Sequence, residues 1–380
     1  MSAEKAAQWI REILLPAGVM VNGDMPWDIW VRDDRFYQRL LREGSLGAGE
    51  AYMDGWWECG RLDEMFARVM PTRLEDKVRK SGRFLLQMLG NMIFNPCRRS
   101  KAFEVGTCHY DKGNGLFRAM LDKRMIYSCA YWKDAGDLDE AQEAKLDLIC
   151  RKMALKQGER ILDIGCGWGG LAKYAAEHYG VMVVGITVSQ QQAALAQEIC
   201  RGLPIEIRLQ DYRDLDETFD YIVSVGMFEH VGFRNYRLYM KKVHACLKED
   251  GLFLLHTIGS DVSQHAIDPW TRKYIFPNSH IPSLKQISDS AEGLFVLEDL
   301  QNIGVHYDAT LTAWFRNFDL NWDSLRQFYD ARFYRMWKYY LLSCAGTFRA
   351  RCLQVWQLVF SKHGVPRGYD PLWSHSRAQG

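Results

Sequence analysis

The chain has 380 residues, with 48 Lys and Arg against 47 Asp and Glu and a formal net charge of +1. Such a length allows roughly two domains and a sizeable core, and so even a balance excludes a nucleic-acid binder that works by bulk electrostatics. The 13 Trp, 18 Tyr and 18 Phe exceed what a plain core needs, which fits a large apolar cavity, a lipid-facing surface or a densely packed interior. Ten cysteines without a C-x-x-C pair or Cys/His ligand spacing read as reduced thiols of a cytoplasm, with no metal site. The first residues lack the apolar stretch of a signal peptide, and no run approaches the ~20 apolar residues of a spanning helix. A membrane would be met from the outside.

Residues 1–70 read as a small N-terminal unit. Val21 to Asp24 is a turn, Ile29 to Val31 a short strand and Phe36 to Arg42 a helix. Gly44 to Gly49 is rich in glycine, and Ala51-Tyr-Met-Asp-Gly-Trp-Trp-Glu58 is conspicuous for its aromatics. Alone, this is the pattern of a packed module. Across 71–101 the composition shifts. Arg73, Lys77, Arg79, Lys80, Arg83, Arg98, Arg99 and Lys101 face only Glu75 and Asp76, and an apolar run from Phe84 to Phe94 lies between them. A basic amphipathic segment suits either an anionic membrane surface or a linker helix packed on its own domain.

The catalytic segment is expected over 102–380. Gly106 to Gly115, with His109-Tyr-Asp111, is polar and turn-rich, and Met125 to Trp132 follows. Leu138, Ala141, Leu146, Ile149 and Met153 recur near a 3.6 period, which predicts a helix over Leu138–Leu155 closed by Gly158. Strands are then expected at Arg160–Ile164, Met182–Ile186, Ile205–Leu209, Tyr221–Val225 and Leu252–Thr257. Helices fall between them at Leu171–His178, Gln190–Cys200 and Tyr236–Leu247. That alternation makes βαβ crossovers and a parallel sheet, an α/β fold. Phe295–Leu300 and Val355–Ser361 are candidates for a late antiparallel pair.

In an open parallel sheet, ligands sit beyond the carboxyl ends of the strands. After the first come Gly165, Gly167, Gly169 and Gly170, where backbone can approach a ligand closely. No Gly-Lys-Ser/Thr follows, so this is not a Walker loop. Asp163 before Gly165-Cys-Gly167 resembles the first motif of S-adenosylmethionine-dependent methyltransferases. No acid follows the second strand, so Thr187 and Gln192 have to supply hydrogen bonds to ribose hydroxyls. After the third, Asp211 can accept from an adenine amine and Tyr212 can flank the ring. After the fourth, Glu229 falls at the centre of the cleft, as a general base or as a structural acid.

Five ordered motifs extend the resemblance. They are Tyr127-Ser-Cys-Ala-Tyr-Trp132, Asp163-Ile-Gly-Cys-Gly-Trp-Gly-Gly170, Gly185-Ile-Thr-Val-Ser189, Gly226-Met-Phe-Glu-His-Val-Gly232 and Leu254-Leu-His-Thr-Ile-Gly259. Together with Tyr52 to Glu58 and Tyr339 to Phe360, they are similar to the bacterial cyclopropane-fatty-acyl-phospholipid synthases over almost the whole chain. Mycolic-acid cyclopropane synthases share the catalytic half without this N-terminal part.

The resemblance implies a Rossmann-like methyltransferase domain with a smaller, largely helical N-terminal domain that engages lipid and forms a homodimer. It implies transfer of a methylene from S-adenosylmethionine to a cis double bond of unsaturated phospholipids, at the inner face of the cell membrane. Methylation of the acyl chain without ring closure is the alternative. Implied cofactor contacts are Ser128, Gly165, Gly167, Thr187, Gln192, Asp211 and Tyr212. Bicarbonate is implied as the base, held by the backbone of Cys129 and Ile258 and the side chains of Glu229, His256 and Tyr307. From chemistry alone, His256 is either a direct base or a group that hydrogen-bonds a loop. Tyr127, Tyr131, Trp132, Phe228, Trp270 and Trp314 are available to stabilise a cationic centre. The family also points to Cys344 as an active-site residue, although its small neighbours equally suggest close helix packing.

Overall fold

The computed structural model describes residues 3–72, 113–264 and 267–370. The basic residues from Arg73 to Lys101 and the His109-Tyr-Asp111 segment lie outside the described residues. The chain divides into two units.

The first unit is mostly helical. It gathers the helices Ala3–Leu14, Arg35–Glu43, Ser45–Met53 and Leu62–Val69 with Pro269–Tyr274, Tyr307–Leu320 and Ala331–Arg349. A short ladder joins β1 (Trp30–Val31) to β2 (Trp57–Glu58), antiparallel. Residues 267–277 and 307–353 therefore share a unit with the N-terminal helices. The aromatics of the 51–58 segment explain the gathering. Tyr52, Trp57, Phe66, Trp270 and Tyr339 cluster with ring centroids 4.6–6.3 Å apart. Gly49 lies against the Trp270 ring and Gly346 against the Asp63 carbonyl, and a Cβ at either would come within 2.3 Å of them. Arginines tie the same contacts. Arg335 reaches Glu58 (2.7 Å) and the carbonyls of Tyr52 (2.6 Å) and Trp57 (3.1 Å). Arg349 reaches Asp308 (2.8 Å), Asp63 (2.9 Å) and Glu64 (3.2 Å). Burial works against the Asp63 carboxylate, but Arg61 and Arg349 hold it down to about 2.

The second unit is built on a seven-stranded sheet. Its strands are β3 (Arg160–Ile164), β4 (Met182–Thr187), β5 (Ile205–Leu209), β6 (Phe219–Val225), β7 (Leu247–Gly259), β8 (Val296–Asn302) and β9 (Gln354–Ser361). They lie in the order β5-β4-β3-β6-β7-β9-β8. The first five run parallel, and β9 pairs antiparallel with both β7 and β8. Alternate residues feed two cores, as the two-residue period of a strand requires. Ile161, Val223 and Leu254 pack with Leu146, Ile149 and Ala175 of the helices Leu138–Lys152 and Gly170–Tyr179. Leu162, Ile222 and Phe253 pack on the other face with Tyr239, Met240 and Val243 of Tyr236–Cys246. This is the expected α/β, Rossmann-like architecture.

Most strand bounds agree with the sequence to within two residues. β7 starts earlier, because Leu247 pairs with Phe219 before a register shift brings Leu252 opposite Tyr221. Among the described residues, no helix is long and apolar enough to cross a membrane.

Candidate active site

Beyond the carboxyl ends of β3 to β6 lies a cavity whose wall includes all seven expected cofactor residues: Ser128, Gly165, Gly167, Thr187, Gln192, Asp211 and Tyr212. Gly165 is required at the first turn. Its φ is +84°, and a Cβ there would meet the Met227 side chain at 2.8 Å. Thr187 Oγ1 donates to Gln192 Oε1 at 2.8 Å. Ser189 caps the helix Gln190–Ile199 by accepting the Gln192 N–H. Asp211 is buried and accepts the Arg213 N–H (2.9 Å) and its guanidinium (3.1 Å).

Two parts of this wall escape the sequence reading. Trp168 lines the cavity, donates from Nε1 to Asn114 Oδ1 at 3.0 Å and packs on Phe117 at 4.9 Å. The helix Asn114–Met120 therefore supports the site. Leu116, Phe117 and Met120, apolar on one face, are the signal that marks it. Lys145 is the second. It lies on the helix Leu138–Lys152, is 1% exposed and donates to Ser128 Oγ at 2.9 Å. Burial lowers its ammonium to about 8, against the pull of Asp122, Cys129 and Asp163. Asp163 also lines the cavity. Burial raises its carboxyl to about 7, with Lys145 opposing, and its Oδ2 has no hydrogen-bond partner.

A second group of buried polar residues gathers at Glu229, in the short turn Phe228–His230 after β6. Burial raises the Glu229 carboxyl to about 7, although the Ile258 N–H donates to Oε1 at 2.7 Å. Its Oε2 is buried without a hydrogen-bond partner. The Gly226 N–H donates to the His256 carbonyl at 2.9 Å, tying the turn to β7. Burial, seconded by Lys145 and Lys152, holds the His256 imidazole well below its usual value, so the ring is neutral. Gln357, its register partner on β9, lies 3.3 Å from Nδ1. Cys129 is fully buried, its thiol turned to the carbonyls of Ala130 (3.3 Å) and Ile303 (3.8 Å).

The structure thus brings Glu229 and Ile258 into contact, with His256 two residues earlier on the same strand. The Ile258 N–H is taken by Glu229 itself. Tyr307 and Cys344 belong to the first unit. There Tyr307 packs on Phe348 (4.6 Å) and Trp314 (5.9 Å). Burial pushes the Cys344 thiol up to about 12. Of the aromatics, Tyr127 lines the cavity and Tyr131 packs on His306 at 4.9 Å. Phe228 is core, stacked on Tyr236 at 4.2 Å. Trp270 and Trp314 are buried in the first unit.

The mycolic acid cyclopropane synthetase family model matches residues 97–358. The cyclopropane-fatty-acyl-phospholipid synthase of Escherichia coli (strain K12) is 53% identical over 363 residues, covering 95% of each chain. A probable fatty acid methyltransferase of Pseudomonas putida is 37% identical, covering 70% of this chain and 71% of its own. The crystal structure of mycolic acid cyclopropane synthase CmaA1, complexed with SAH and CTAB, superposes with a TM-score of 0.64 at 32% identity. It covers 68% of this chain and 98% of its own. A family match over most of the chain, a relative aligned over 95% of each chain and the methyltransferase sheet agree: this chain belongs to the mycolic acid cyclopropane synthetase family and is an S-adenosylmethionine-dependent methyltransferase.

Proposed function

We propose that this enzyme adds a methylene across the cis double bond of an unsaturated acyl chain in a phospholipid, closing a cyclopropane ring, with bicarbonate as the base. The observation that carries the reading is the 53% identity with the E. coli synthase over 95% of both chains. S-adenosylmethionine, when bound, supplies the electrophilic methyl carbon that joins the alkene as its bond to sulfur breaks. The neighbouring alkene carbon is left electron-poor and has to be kept from water. One proton must then leave the new methyl so that the ring can close.

The residues around Glu229 suit an anion that takes that proton. Glu229 Oε2 is an acceptor without a partner, and neutral His256 can donate from one ring nitrogen. An acceptor and a donor together fit a protonated carbonate better than an alkene. Bicarbonate held by Glu229 and His256 with the backbone of Cys129, the second unit's part of the set that the family resemblance implies, would supply the base. Because the Ile258 N–H already serves Glu229, its contribution is to orient the carboxylate. The neutral imidazole is a weak rival, since burial disfavours the imidazolium it would become.

The test uses labelled cofactor and vesicles of unsaturated phospholipid, with NMR of the product lipid. A cyclopropyl methylene signal with loss of the alkene is expected. A branched methyl would overturn ring closure in favour of the methylation that the P. putida relative's name describes. Buffer freed of CO₂ should slow turnover and added bicarbonate restore it. An unchanged rate would remove the anion from the reading.

A further inference from the structure

We propose that Lys145 binds the carboxylate at the amino-acid end of the cofactor, with Asp163 as the opposite pole of the same subsite; this rests on the cofactor being S-adenosylmethionine. A lysine 1% exposed is costly unless its charge is used or paired. Among the described residues, its one hydrogen bond goes to the Ser128 hydroxyl, leaving two of three N–H donors for a ligand. Ser128 accepts from Lys145, so its own O–H is left to donate to the same carboxylate.

The surroundings favour a ligand over a structural ion pair. Lys145, Ser128 and Asp163 all line the cavity. Asp163 Oδ2 is buried there without a hydrogen-bond partner. One turn before Lys145, fully buried Gln142 donates to the carbonyls of Ile126 (3.3 Å) and Ser128 (3.0 Å). The helix face thus fixes the loop that carries Ser128 and presents a cation beside it. A cation and an unpartnered carboxylate oxygen in one cavity complement a zwitterion, as an α-amino acid is. The other part of the wall, with Thr187, Gln192 and Asp211, offers polar groups suited to an uncharged nucleoside.

The experiment is calorimetric binding to the full chain of three ligands: S-adenosylhomocysteine, its decarboxylated analogue and 5′-methylthioadenosine. Wild type should prefer S-adenosylhomocysteine over the decarboxylated analogue by about 10- to 100-fold, the range for a hydrogen bond to a charged group. Lys145→Met should abolish that preference while binding the other two ligands at least as tightly as wild type. Lys145→Arg, which keeps the charge, should recover part of it. Equal weakening of all three ligands by Lys145→Met would make the lysine structural and overturn the proposal, as would a preference left intact. If wild type bound none of the three, the cofactor reading itself would fall.

Discussion

Glu229 holds a carboxyl group that is buried from solvent, and the cost has a definite pH dependence. Its folded value, about 7 against an ordinary 4.5, means the folded protein keeps the proton more tightly than the unfolded chain. The stability this contributes is present below pH 4.5 and is lost as pH rises through 7. Glu229→Gln removes the charge but keeps an acceptor for the Ile258 N–H. It should therefore raise the melting temperature at pH 8, by on the order of 1–3 kcal/mol of stability, and change little at pH 5. The same variant should lose about 10²- to 10⁴-fold in kcat while binding S-adenosylhomocysteine normally. Calorimetry at the two pH values and a turnover assay check both, and a variant destabilised at pH 8 would show that the carboxylate is satisfied. Cys344 points the other way. A thiol pushed up to about 12 is not a thiolate at neutral pH, so Cys344→Ala should keep kcat near wild type. A large loss would return the thiol to the active site.

At the level of elements, the contact of the helices Leu62–Val69 and Ala331–Arg349 rests on Gly346 and Arg349. Arg349→Met takes a shared cation from Asp63, Glu64 and Asp308, leaving Asp63 with Arg61 and Glu64 with Arg68, and should cost about 1–3 kcal/mol at pH 7. Asp63 has its folded value depressed to about 2, so its contribution is present above pH 3.8 and lost as pH falls towards 2. The gap between wild type and variant should therefore narrow in acid, which urea melts at pH 7 and pH 3 would measure.

The sequence speaks unevenly about these elements. β3 and β5 begin and end where apolar alternation and the flanking Gly and Pro place them. The helix Ser45–Met53 is hidden, because interior glycines disfavour helices by roughly 1 kcal/mol each. Gly49 is there for the Trp270 ring, a partner remote in the chain. Lys145 is hidden differently. Helical periodicity sorts residues by apolarity and leaves a buried cation looking like surface. Glu229 was legible because it follows a strand, whereas the stacking of Phe228 on Tyr236 depends on a helix packed from the side.

For the molecule as a whole, a membrane contact through the basic segment 71–101, one of the two readings its sequence allows, would rest on charge. Neutralising Arg79, Lys80 and Arg83 together should weaken co-sedimentation with anionic vesicles more than with neutral ones, each cation contributing about 1 kcal/mol. Unchanged binding at low salt would move the contact elsewhere. The first unit also has a history written into it. It draws on residues near the start of the chain and on 307–353, so the helix Leu62–Val69 is synthesised long before Ala331–Arg349, on which it packs. At roughly 5–20 residues per second, that wait is on the order of 10–50 s. Throughout it, Tyr52, Trp57 and Phe66 lack Tyr339 and stay open to chaperones or to neighbouring nascent chains. Residues 1–72 alone should accordingly show little helical circular dichroism. The sheet waits too, since β9 is made last and lies between β7 and β8. The first unit gains its last piece at Leu353 and the second its last strand at Ser361, so quality control meets the two together rather than one domain at a time.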